Sequence, residues 1–151
     1  MHPYPHTYHV AAAGRAEGSV AVSSAGLPQL ATAPPAEFDG PGDQWSPETL
    51  LCAAMADCFI LTFRSLARAA RLEWLEVRCG VAGILEKVDG RARFTRFEVS
   101  AQLSVNAGVD MQKARHTLER SEHLCLVSNS MSGARAVTVE VRVVDSAPVT
   151  P

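Results

Sequence analysis

Apolar and polar positions divide this chain into short alternating runs and two helical stretches. Residues 6–13 and 19–24 are short, alternating or β-branched, and read as strands around a turn at Gly14-Arg15-Ala16-Glu17-Gly18. Residues 1–5 read as a Pro-rich arm, and residues 33–43 as a surface loop dense in Pro, Gly and Asp. Ser46 then offers a helix N-cap, Pro47 suits the first helical position, and Glu48 complements the positive dipole end. This predicts a helix over 47–70. From Leu50 to Phe63 only Asp57 is charged, so that helix is apolar nearly all round and should be buried on most sides.

Residues 74–88 and 91–105 read as two strands around Asp89-Gly90, the best hairpin signal in the chain. Alternation in the first of them is only partial. Asp110 caps a second predicted helix over 111–122, with Met111, Ala114 and Leu118 on one side. Cys125 follows in a loop or short helical turn, and residues 136–144 form a last strand. Strands, helix, strands, helix, strand is an α+β order. At 151 residues a single domain over 1–151 is expected.

A formal charge of −2 with no basic block gives no electrostatic reason to expect nucleic acid or an anionic membrane. The longest apolar run, Leu50–Met55, is too short to span a bilayer, and the first residues lack a signal-peptide pattern. A cytoplasmic location is expected. Four cysteines there would be reduced at rest, so a disulfide would be transient and catalytic rather than structural. None has CxxC or CxxH spacing, which argues against a structural zinc site.

Each chemistry-bearing residue has two readings at this point. Cys58, mid-helix, is either a small buried hydrophobe or a nucleophile. The second reading needs thiolate, and burial opposes a thiol's ionisation, so it demands a cation from elsewhere. Arg15 in its Gly-flanked turn is the best candidate, against the alternative of a solvated turn arginine; Arg64 and Arg135 are fallbacks. Glu48 either serves the helix dipole or clamps an arginine. It is ten residues from Cys58, about 15 Å along one helix. If both serve one site, Glu48 comes from a second subunit. Cys125 is either a packed thiol or a reactive one. Cys52 and Cys79 read as inert, and His123 as an exposed histidine near Cys125. The apolar residues Met55, Phe59 and Leu126 are either core or the lining of an alkyl pocket.

The residues taken together resemble the OsmC/Ohr family of organic hydroperoxide resistance and osmotically inducible peroxidases. Three segments carry the likeness: Gly14-Arg15-Ala16-Glu17-Gly18-Ser19-Val20, Ser46-Pro47-Glu48-Thr49-Leu50-Leu51 running on to Asp57-Cys58-Phe59, and Leu124-Cys125-Leu126-Val127-Ser128-Asn129-Ser130. The resemblance implies an intertwined α+β homodimer, with mainly antiparallel sheets around a long buried central helix. It implies a thiol peroxidase without metal, haem or flavin. Carried over, Cys58 is the peroxidatic nucleophile, Cys125 the resolving thiol, Arg15 the activating cation and Glu48 its orienting carboxylate. The implied substrate is an organic hydroperoxide, and the implied reductant a dithiol such as a lipoylated protein. The loop before the helix holds no arginine, which favours the Ohr-like assignment. The arginine turn is one residue longer than the usual form, and Leu126-Val127 stands where Ohr-branch members tend to have Pro-Tyr. A rival of another class is a non-catalytic dimeric binding protein with vestigial thiols. A zinc-binding module is a weaker one.

Overall fold

The computed structural model describes residues 3–144, so the beginning of the N-terminal arm lies outside the described residues. The chain divides into two compact units, Met1–Leu50 and Leu51–Pro151, and the division falls after the first turn of a long helix.

The first unit holds a three-stranded antiparallel sheet of β1 (Ala11–Ala13), β2 (Val20–Ser23) and β3 (Leu30–Thr32), in that order. The first two strands are shorter than the sequence suggests, and β3 was not anticipated. Three residues show no period, and β3 exists because Val20, Ala21 and Val22 pair with Thr32, Ala31 and Leu30. The following loop contains one 3-10 turn, Ala36–Phe38. Gly40 is required there, since a Cβ would stand 1.7 Å from the Pro34 carbonyl oxygen. The loop closes through Ala33 N–H donating to Trp45 O at 3.0 Å.

Ser46 then caps the long helix α1 (Pro47–Ala70) as expected. Its hydroxyl accepts from Thr49 N–H at 3.2 Å, and Thr49 Oγ1 accepts from Ser46 N–H at 2.9 Å. This is a reciprocal capping box with threonine in the usual Glu/Gln position.

In the second unit α1 presents Met55, Phe59, Phe63 and Ala67 as a buried stripe at four-residue spacing. The stripe joins the inner face of a second sheet, ordered β4 (Glu76–Val88), β5 (Arg91–Val105), β6 (Ala134–Val143). Phe97, Val99, Ala101, Leu103 and Val105 alternate along β5 as the middle of the core. Phe63 meets Trp74 edge-on at 5.3 Å between ring centroids. Asp89 and Gly90 both have positive φ, 49° and 79°, as a two-residue hairpin turn needs. A bulge interrupts the β4–β5 register between Ile84 and Leu85, where Thr95 of β5 is the extra residue.

Asp110 caps α2 (Met111–Leu124), accepting from Lys113 N–H at 3.0 Å. Ala114 and Leu118 are buried as expected, whereas Met111 is exposed. A four-residue helix α3 (Leu126–Asn129) follows before β6. Strand β6 pairs with β5 in parallel, which the intervening helices permit.

The rest of α1 is only partly covered within one chain: Leu51, Cys52, Ile60 and Ala70 pack against the core, and other positions face outward. Leu61 is 51% exposed, and an 18-residue window of the helix is only 22% buried. By length and composition α1 is long and apolar enough to cross a membrane, a property it shares with core helices of soluble proteins.

Candidate active site

The second unit brings Cys58 and Cys125 together. Cys58 is half-buried on α1, one position before the core residue Phe59. Cys125 is fully buried at the break between α2 and α3, with φ −67° and ψ 107°, outside helical geometry. The two thiols lie close enough for Cys58 to perturb Cys125, and both are free. Burial pushes the Cys125 thiol up from its ordinary value, and the neighbouring Cys58 adds to this. The Ser128 hydroxyl and backbone N–H oppose the rise by hydrogen bonding to the sulfur, and burial wins.

Cys79, on the core side of β4, is pushed up to about 11, first by burial and then by the charge that Cys125 can carry. It is the poorest nucleophile such a site could hold at neutral pH, in keeping with the inert reading. Cys52 packs over Gly83, where a Cβ would come within 2.9 Å of its sulfur. Met55 and Phe59 are 1% and 2% exposed and belong to the core, not to a pocket. Leu126 is the exposed apolar residue of that trio.

Arg15 and Glu48 lie in the first unit. Arg15 is exposed in the turn between β1 and β2, and among the described residues it enters no ion pair. Glu48 buries Oε2 without a hydrogen-bond partner. A carboxylate oxygen removed from water and left unpaired is costly unless a donor meets it. The structure does not join these two residues within one chain.

A polar group beside Cys125 was missed by the sequence reading. Glu122 is buried near the end of α2, and Arg135 Nε at the start of β6 lies 2.8 Å from its Oε1. Arg135, a fallback cation in the sequence reading, is thus already paired. The other fallback, Arg64, is exposed. His123 Nδ1 is 3.5 Å from Glu122 Oε2, on an exposed ring as expected. The signal for Glu122 was available: Ala114, Leu118 and Glu122 follow one another at four-residue steps, so the buried stripe of α2 ends in a carboxylate.

The sequence model of the OsmC-like protein family matches residues 40–142. The chain belongs to that family. It is 27% identical over 112 residues to the uncharacterized protein YmaD of Bacillus subtilis, covering 72% of this chain and 75% of that one. An OsmC-like protein of unknown function from Vibrio cholerae superposes with a TM-score of 0.79 at 16% identity, covering 89% of this chain and 99% of that one. An organic hydroperoxide resistance protein OsmC from Legionella pneumophila superposes with a TM-score of 0.67 at 25% identity, over 93% and 100% of the two chains. The α+β fold read from the sequence is therefore the OsmC/Ohr fold.

Proposed function

We propose that this OsmC-like protein is a cysteine-dependent peroxidase that reduces organic hydroperoxides to alcohols. The observation that carries this reading is the proximity of Cys58 and Cys125, two free thiols from α1 and from the α2–α3 break. In the reaction, the Cys58 thiolate attacks one peroxide oxygen and the O–O bond breaks. The alkoxide leaves and takes a proton to become the alcohol, and Cys58 becomes a sulfenic acid. Cys125 then attacks that sulfur, water leaves, and a disulfide forms. A dithiol, for example a lipoyl group on a protein, reopens it by exchange and is itself oxidised. The likeness to the Legionella protein called an organic hydroperoxide resistance protein supports the substrate class. The reading requires no metal or organic cofactor.

A second chain completes the proposal. Among the described residues Glu48 leaves a buried oxygen without a donor and Arg15 has no ion-pair partner, and α1 is fully buried only along one stripe. Homodimerisation would cover α1 and let Arg15 and Glu48 meet, so that Glu48 orients the guanidinium that supports the thiolate. A cytoplasmic setting and one functional domain over the whole chain belong to the same reading.

The test counts thiols before and after one equivalent of an alkyl hydroperoxide. Two thiols per subunit should disappear and return on addition of a dithiol, and Cys58→Ser should abolish peroxide consumption. Full turnover by Cys58→Ser would overturn the mechanism. An unchanged thiol count in the native protein would favour the non-catalytic binding protein.

A further inference from the structure

The backbone around Cys125 runs from α2 to α3 without a regular hydrogen-bonded segment across the break. Cys125 N–H donates to Glu122 O at 3.2 Å, and Asn129 N–H donates to Cys125 O at 3.0 Å. Nothing in those two bonds ties the end of α2 to the end of α3. Side chains do so. Arg135 reaches Glu122 Oε1 with Nε at 2.8 Å, and donates from Nη1 to Asn129 Oδ1 at 3.3 Å. Asn129 Nδ2 in turn donates to the His123 carbonyl at 2.9 Å. One arginine at the start of β6 therefore holds both ends of the segment that presents Cys125.

The chemistry of this clasp is unusual for a surface contact. The Glu122 side chain is 8% exposed and that of Arg135 27%. The guanidinium is close to Glu122 Oε1, yet its N–H is not aligned for a hydrogen bond, and Oε1 has no other donor. A buried carboxylate oxygen held by charge alone depends on its cation; the exposed His123 ring lies near the other oxygen, at 3.5 Å, so Arg135 is the one permanently charged partner of Glu122 among the described residues. Truncating either partner strands a buried charge. A planar fork that addresses a carboxylate and an amide at once is a task for Arg rather than Lys.

We infer that Arg135 is a positioning residue for Cys125: with Glu122 and Asn129 it fixes the α2–α3 break so that the Cys125 thiol stays in bonding range of Cys58. The role rests on the proposed dithiol chemistry, but not on peroxide being the oxidant. Without the clasp the break relaxes, and the effective concentration of one thiol at the other falls.

The test uses the full-length protein in mixtures of oxidised and reduced dithiothreitol. Closing the Cys58–Cys125 disulfide releases two protons and two electrons, which convert the cyclic disulfide of oxidised dithiothreitol to two thiols. Mass spectrometry after acid quench and alkylation gives the equilibrium constant. Arg135→Ala should lower it about tenfold or more, equivalent to about 30 mV for this two-electron couple. Arg135→Lys should recover only part, because one ammonium cannot address Glu122 and Asn129 together. Asn129→Ala keeps the buried ion pair and so protects the fold; it should lower the constant by a smaller factor in the same direction. Unchanged or raised constants in folded Arg135→Ala and Asn129→Ala would overturn the inference, as would a native protein that forms no Cys58–Cys125 disulfide at any ratio. A parallel single turnover with an alkyl hydroperoxide separates the two readings. A native protein that forms the disulfide with dithiothreitol but not with peroxide would sink the peroxidase reading and leave the clasp standing. With peroxide active, Arg135→Ala should leave the rate of Cys58 sulfenic acid formation within about twofold and slow only disulfide closure. Equal slowing of both steps would mark Arg135 as merely structural.

Discussion

Replacing Ser128 by alanine should slow the attack of Cys125 on an oxidised Cys58 by a calculable factor. Burial raises the Cys125 thiol, and two donors from Ser128 work against that rise. The substitution removes the hydroxyl and keeps the backbone N–H. A hydrogen bond to a charged group contributes about 1.5–3 kcal/mol, and about 1.36 kcal/mol is a tenfold change in an equilibrium. Losing it pushes the Cys125 thiol up further and lowers the thiolate fraction at neutral pH by about 10- to 160-fold. The remaining thiolate gains nucleophilicity with a Brønsted coefficient of about 0.4–0.5, which offsets nearly half of that loss on a logarithmic scale. The net loss is about 3- to 20-fold. Ser128 is buried, so solvent has little room to replace the lost donor.

The assay is a single turnover with one equivalent of an alkyl hydroperoxide, quenched at intervals and resolved by mass into thiol, sulfenic acid and disulfide. In the native protein the closure rate should climb about tenfold per pH unit from pH 7 toward the Cys125 pKa, because thiolate is the attacking species. Ser128→Ala should lie below it at neutral pH, and at high pH, once both thiols are ionised, cross above it because its thiolate is the more nucleophilic. A closure rate independent of pH in the native protein would refute the reasoning. So would a Ser128→Ala profile that superposes on the native one.

Cys79 carries a stability consequence of its own. Its pKa is raised from 9.0 to about 11, so above pH 9 the unfolded chain gives up a proton that the folded one keeps. Stability should be unaffected below pH 9 and fall from there until about pH 11; at about 1.36 kcal/mol per pH unit the ceiling is about 2.7 kcal/mol, reduced because Cys79 is only partly buried. Denaturant midpoints of the native protein and Cys79→Ala should therefore converge or cross as pH rises from 9 to 11, and a gap constant with pH would contradict this. Leu61 stands 51% exposed on α1; Leu61→Asp should shift a dimer toward monomer in light scattering at micromolar concentration, and a dimer equally stable in the variant would show that another surface joins the subunits.

How much of this was legible in the sequence follows from the range of the interactions involved. The start of α1, the Asp89-Gly90 turn and the Asp110 cap are decided within four residues, by a side chain meeting its own backbone or by a positive φ. Each was read correctly. Strand β3 and the bulge at Ile84/Leu85 are decided by a neighbouring strand, and no local period announces them. Met55 and Phe59 show the ambiguity of apolar residues beside a cysteine. Pattern alone allowed pocket or core, and packing against β5 assigned them to core. The two cysteine segments suggested a dithiol from the residues, but single-residue readings left each cysteine open, and the family resemblance assigned their roles. The Glu122–Arg135 pair spans α3, and only the four-residue spacing on α2 hinted that a carboxylate would be buried.

The two thiols are mounted differently, and the difference bears on how a bond between them would form. A covalent S–S bond is about 2 Å long, well inside any hydrogen-bonding separation, so one mount has to yield. Cys58 rides on a helix locked through Met55, Phe59, Phe63 and Ala67 into the core. Moving it would disturb close packing along four turns, and packed cores do not deform continuously. Cys125 sits at a non-helical break, and among the described residues the three side chains of the clasp join the far ends of α2 and α3. On the proposed reaction it is therefore the Cys125 segment that travels, over a short distance set by its resting position. Arg135 defines that resting position without touching either sulfur. This is why an equilibrium between thiols and disulfide reads the clasp more directly than a catalytic rate does: the constant depends on where Cys125 rests and on what it costs to bring it across, whereas the rate also contains the thiolate fraction that Ser128 controls.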